Sequence, residues 1–175
     1  MNNGFKSWQL AIGDVIAGGR WLVSEGIADP AKLGIVGWSY GGYAALQSAT
    51  VATNPFKAVV AIAPVTDLNM LRDEHRNWSD YYVIDKFLGS GPESREASPL
   101  QRADKIKVPV LLVHGTLDFN VGVDESRAMA KKLKSLGANV ELLEFEGLDH
   151  QLEDSQARAE LLRHADQVLT KAFNP

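Results

Sequence analysis

No cysteine occurs in the 175 residues. That excludes disulfides, thiolate metal sites and a cysteine nucleophile, and it leaves the compartment open, since a cysteine-free chain tolerates either redox environment. Histidines are few, four in all, and no two stand at ligand spacing, so no zinc site is expected. No run of one charge sign is present beyond the short Lys131-Lys132-Leu133-Lys134 stretch, which fits the solvent face of a helix, and the formal net charge is −4. Nucleic acid and anionic membrane surfaces are therefore poor partners. No apolar run approaches the ~20 residues of a membrane span, and the N-terminus lacks the apolar core of a signal peptide. What remains is an ordinary globular composition, 45% hydrophobic and 23% charged, with no repeats, low-complexity tracts or internal domain boundary.

Periodicity supplies the architecture. From Phe5 to Glu25, Trp8, Ile12, Val15, Ile16, Leu22 and Val23 recur at helical spacing, and Gly26 is a stop. Leu33 to Val36 is a short apolar run of the kind a buried parallel strand shows, and the Ala-rich stretch after Ser39 predicts a helix lasting to the Asn54-Pro55 break. AVVAIA, from Ala58 to Ala63, predicts a second strand. Residues 64 to 105 are an excursion of short helices around a loop. VLLVH, from Val110 to His114, is the third strand, and Asp124 to Leu136 a helix closed by Gly137. Asn139 to Phe145 is the fourth strand. Glu153 to Phe173 is an amphipathic helix with Leu161, Leu162, Ala165, Val168, Leu169 and Phe173 on its apolar side. Strands alternating with helices predict an α/β fold with a parallel sheet.

Three residues fall beyond the carboxyl ends of these strands, where open parallel sheets bind ligands. Ser39 lies in G-W-S-Y-G between a strand and a helix, the context that the nucleophile-elbow pattern G-x-S-x-G requires; two flanking glycines suggest a turn too tight for a Cβ at either. Asp118 lies four residues past His114, and His150 follows the fourth strand in EGLDHQ. A serine hydroxyl is a weak nucleophile near neutral pH. It needs an imidazole to take its proton and a carboxylate to fix the imidazole's tautomer, and Ser, Asp, His is the order in which α/β-hydrolases supply them. Of the other histidines, His75 reads as exposed in a charged loop, His164 belongs to the last helix, and His114 ends a strand.

GWSYGGYAAL, AIAPVTDL, SPLQRADKIKVPVLLVHGTLDFNV and ELLEFEGLDH together resemble the catalytic domain of the prolyl oligopeptidase family, and the likeness runs through nearly the whole chain. The resemblance implies the C-terminal half of an α/β-hydrolase fold, about four parallel strands flanked by helices, forming a single partial domain over residues 1–175. By position it makes Ser39 the nucleophile, Asp118 the orienting acid and His150 the general base. It makes the backbone N–H of Tyr40 one oxyanion donor, as the elbow geometry independently suggests. Val65, Leu68 and Leu71 fall where family members line the pocket for the residue before the scissile bond. Leu68 and Leu71 stand where some relatives carry aromatic rings, which argues against a proline-shaped pocket. Asn120 matches a position that contacts the substrate backbone in some members; a turn-forming asparagine is the alternative.

The resemblance also implies parts that lie outside these residues: earlier strands, whose loops carry the second oxyanion donor, and a β-propeller. Losing one oxyanion donor costs about 10² to 10³ in turnover, so the chain alone is expected to be feeble. The expected chemistry is hydrolysis of peptide or acyl-amino bonds through an acyl-enzyme, with no metal or organic cofactor and a peptide or acyl-peptide as partner. The alternatives are a carboxylesterase using the same triad, or an inert interaction module that keeps it as a relic. If earlier strands normally pair beside Leu33 to Val36, an apolar edge is exposed there, and a homodimer covering it is the further expectation.

Overall fold

The computed structural model describes residues 4–89 and 91–174. After a 3-10 turn at Gly4–Ser7 come helix α1 (Trp8–Ser24), strand β1 (Gly34–Trp38), α2 (Tyr40–Ala49) and β2 (Ala58–Ile62). The excursion holds α3 (Leu68–Glu74), α4 (Tyr81–Leu88), α5 (Pro92–Glu96) and a 3-10 segment at Pro99–Lys105. Then follow β3 (Val110–Gly115), α6 (Val123–Ser135), β4 (Val140–Phe145) and α7 (Ser155–Phe173). The expected elements are all present; most ends move by one or two residues, but α1 begins three residues after Phe5 and α2 stops at Ala49, five residues before the Asn54-Pro55 break.

The strands form one parallel sheet in the order β1-β2-β3-β4. Because each strand joins its neighbour on the same side and such crossovers are right-handed, the connecting elements collect on one face. There Ala45, Leu46 and Ala49 of α2 and Met129, Ala130 and Leu133 of α6 pack on Val59, Ala61, Val110 and Leu112. The alternate residues of the same strands, Val60, Ile62, Leu111 and Val113, face Leu161 and Ala165 of α7. β2 and β3 are thus buried on both faces, which is why they read as continuous apolar runs rather than alternating ones. A third cluster joins α1 to α2 through Trp8, Ile12, Ile16, Tyr43 and Phe56.

One helix cannot cover a four-strand face. At β1, Val36 is 56% exposed, and among the described residues the strand is paired on its β2 side alone, so an apolar edge lies where the sequence places it. Two other expectations need correcting. Leu162 does not join the apolar side of α7 but is 66% exposed, because Leu161 and Ala165 occupy the stripe and the adjacent position turns away by about 100°. His75 is buried rather than exposed: it caps α3, its Nδ1–H donating to the Leu71 carbonyl at 2.8 Å, and its ring packs on Trp78 at 4.7 Å. Among the described residues no helix is long and apolar enough to cross a membrane.

Candidate active site

Ser39 sits between β1 and α2 with φ 58° and ψ −120°, one of three non-glycine residues with positive φ among those described. Such a backbone is strained for a residue with a Cβ. It is held by the Ser39 N–H, which donates to the Ile62 carbonyl at the end of β2 (2.8 Å), and by the Ser39 carbonyl, which accepts from Tyr43 N–H (3.0 Å). Gly37 makes the turn possible, since a Cβ there would stand 2.0 Å from the Gly41 carbonyl oxygen. The second tight glycine is not the expected Gly41, around which a Cβ would meet nothing within 4 Å, but Gly42, which abuts the Ile62 carbonyl and Pro64 at 3.0 Å. Tyr40 opens α2, so its N–H points out of the helix end without an intrahelical partner.

Asp118 lies in the loop after β3 with its side chain fully shielded from solvent. Oδ1 accepts from the backbone N–H groups of Asn120 (2.8 Å) and Val121 (2.9 Å). Oδ2 accepts from His150 Nδ1 at 2.6 Å and lies 3.2 Å from His114 Nε2. Burial by itself would raise this carboxyl's pKa, yet the donors from His114, Val121 and His150 outweigh it and hold the group below the usual carboxylate range. With Nδ1–H committed to the carboxylate, a neutral His150 ring carries its lone pair on Nε2, the proton-accepting form. The His150 carbonyl accepts from the Trp38 indole N–H at 3.0 Å. That bond ties the histidine loop to the residue immediately before Ser39.

The structure therefore brings Asp118 and His150 into contact and delivers Ser39 and His150 to the same edge of the sheet. The Ser39 hydroxyl and His150 Nε2 are not hydrogen-bonded to each other among the described residues, as is common before a substrate tightens such a site. Val65 and Leu68 are 5% and 1% exposed and pack in the core cluster with Tyr43 and Val121, with Leu71 against its rim. Asn120 is exposed, and its backbone serves the Asp118 turn. No group of three or more His, Cys, Asp or Glu gathered as a metal would need is found among the described residues.

Three polar residues beside the site have no role in the sequence reading. His114 is fully buried, with Nδ1 2.7 Å from Ser126 Oγ and Nε2 2.9 Å from the Val121 carbonyl. Glu125 is also fully buried; its Oε2 accepts from Thr66 N–H (2.8 Å), Thr66 hydroxyl (2.6 Å) and Asp67 N–H (2.7 Å). Burial raises its pKa to about 8 against the pull of those donors. The signal was present: Glu125 and Ser126 occupy the same face of α6 as Met129, Ala130 and Leu133, and a polar residue on an apolar stripe must find an internal partner.

Residues 6–175 match the model of the prolyl oligopeptidase family. Dipeptidyl peptidase 4 of Bos taurus is 28% identical over 170 residues, covering 92% of this chain and 21% of that protein. A Mycobacterium tuberculosis puromycin-hydrolyzing peptidase superposes with a TM-score of 0.85 at 30% identity, over 93% of this chain and 25% of that one. Pyrococcus horikoshii acylaminoacyl peptidase gives a TM-score of 0.69 at 28% identity, over 82% of this chain and 24% of that one. The chain thus spans a fifth to a quarter of the length of the relatives it matches, and its four-strand parallel sheet with flanking helices superposes on part of the α/β-hydrolase fold of these peptidases.

Proposed function

The chain belongs to the prolyl oligopeptidase family, and on that premise we propose that it is a serine peptidase module in which Ser39, Asp118 and His150 act as a catalytic triad. The observation that carries the reading is the 2.6 Å bond between Asp118 and His150, in a loop that Trp38 ties to the elbow of Ser39. In the first step Ser39 Oγ bonds to the substrate carbonyl carbon while its proton passes to His150 Nε2. Asp118 keeps the imidazole in the accepting tautomer and stabilises the imidazolium that forms. The Tyr40 N–H donates to the developing oxyanion. His150 then returns the proton to the leaving amine as the C–N bond breaks, leaving an acyl-enzyme on Ser39. Water, deprotonated by the same imidazole, releases the acid and restores the serine.

Peptides or acyl-peptides are the substrate class, in keeping with the peptidases that the chain resembles. For Val65, Leu68, Leu71 and Asn120 we assign roles of different reach. The burial of Val65 and Leu68 supports a part in shaping the pocket from behind, whereas Leu71 and Asn120 have surface to offer a substrate. The test is paired hydrolysis of aminoacyl anilides and matching esters by wild type and Ser39→Ala. Amide cleavage lost in the variant supports the reading. Ester cleavage alone makes the chain a carboxylesterase, and neither activity in folded protein makes it a relic.

A further inference from the structure

Asp118 makes more contacts than a triad requires. Three donors are accounted for by the turn that follows it and by His150; a fourth neighbour, His114 near the end of β3, lies beneath. His114 Nε2 lies between two acceptors, the Val121 carbonyl at 2.9 Å and Asp118 Oδ2 at 3.2 Å. A carbonyl has no proton to give, and neither has an ionised carboxylate, so the ring must carry its proton on Nε2. In a neutral ring Nδ1 is then an acceptor, and the hydroxyl it faces, Ser126 Oγ at 2.7 Å, donates to it. His114 and the Asp118 side chain are wholly inaccessible to solvent, so no water can replace either bond.

We propose that His114 is a positioning residue for the reaction: its Nε2–H, aimed by Ser126, donates to the Val121 carbonyl and stands 3.2 Å from Asp118 Oδ2, fixing the loop whose Val121 N–H holds Asp118 Oδ1 and so keeping the carboxylate where Oδ2 accepts from His150 Nδ1. The inference rests on Asp118 and His150 acting as the triad's acid and base. Without His114 the buried Val121 carbonyl loses its donor, and the loop that presents the Asn120 and Val121 N–H groups to Oδ1 is held less firmly. Ser126 thereby belongs to the same line, Ser126 to His114 to Asp118 to His150, which links the first turn of α6 to the general base. In Glu125, the same helical turn also grips Thr66 and Asp67 beside the pocket residues, so the site is clamped from one place.

The experiment compares His114→Phe, which keeps a ring and deletes the donor, with His114→Gln, whose amide can present N–H near the Nε2 position. The rate of Ser39 modification by a fluorophosphonate is read alongside the low-field proton NMR signal of His150 Nδ1–H, identified by its loss in His150→Ala. The donor variant is expected to recover most of the rate, whereas His114→Phe loses roughly ten- to a hundredfold, the cost of leaving a buried acceptor unpaired, and its low-field signal shifts or broadens. An unchanged rate and signal in folded His114→Phe overturns the proposal, as does equal loss in both variants. Should His114→Phe not fold, nitrogen-15 spectra of the wild-type imidazoles decide: a proton on Nε2 of His114 supports the role, and a bare Nε2 ends it. Wild type that shows the His150 signal yet never reacts with the probe would instead refute the triad reading, while the NMR comparison still tests His114.

Discussion

The indole N–H of Trp38 donates to the backbone carbonyl of His150 across 112 residues of chain, at 3.0 Å. This bond converts two separate loops into one site, since Trp38 immediately precedes the residue that must meet His150. Trp38→Phe keeps the ring against the α7 cluster and removes the donor. It is expected to cost about 1 kcal/mol of stability, the net worth of one hydrogen bond, and to slow fluorophosphonate labelling of Ser39 roughly fivefold; thermal melts and labelling kinetics check both.

Asp118→Asn is expected to fold and to lose activity by about 10³ to 10⁴, because an amide can hold His150 in the wrong tautomer. Its effect on acid stability follows from the lowered pKa of Asp118. A carboxyl whose folded pKa lies below its unfolded one contributes stability that is present above the unfolded value and lost as pH falls through the folded value. Denaturant titrations below pH ~4 should therefore show a shallower acid loss in Asp118→Asn than in wild type.

Glu125 carries the opposite sign. Burial pushes its carboxyl pKa in the folded protein up to about 8, against 4.5 for an unperturbed glutamic acid. The unfolded chain binds fewer protons between those values, so this group's contribution is full below pH 4.5 and declines as pH rises to about 8. Glu125→Gln keeps an acceptor for Thr66 and Asp67 and cannot ionise. Across that window its stability should fall less steeply with pH than that of wild type, by up to ~1.4 kcal/mol per pH unit, measured by urea unfolding at pH 5, 6.5 and 8.

The two glycines of G-W-S-Y-G are expected to part company. A Cβ at Gly37 would lie 2.0 Å from backbone at Gly41, so Gly37→Ala must push the elbow open and should cost 3 kcal/mol or more, on the order of the large backbone effects. Gly41 lies within α2 with open space at its Cβ position, and Gly41→Ala should be neutral or stabilising by up to ~1 kcal/mol through helix propensity. Melting temperatures of the pair decide it.

Much of this was legible because parallel α/β folds write themselves locally. AVVAI and VLLVHG are buried on both faces and so read as unbroken apolar runs, and Gly137, with φ 72° directly after the cap of α6, ends its helix by a rule of backbone geometry. The Ser, Asp and His of the candidate site are read from order and position, and the structure brings the Asp and His into contact. What escaped depended on tertiary contact. His75 looked solvent-exposed among charges, but capping α3 and stacking on Trp78 bury it. Gly41 looked indispensable because a motif carries no information about which glycine meets its neighbour. His114 does stand near the end of β3, as the sequence reads, but its part in the site was not legible because only the fold brings Ser126 and the Val121 carbonyl to its two nitrogens, beside Asp118.

The most direct test of the central claim is intact-mass spectrometry of wild type and Ser39→Ala after treatment with a fluorophosphonate. A single adduct on wild type, absent from the variant, is the predicted result and means that Ser39 is activated by the His150–Asp118 pair. Folded wild type that gains no mass, or a variant that gains as much, would contradict it.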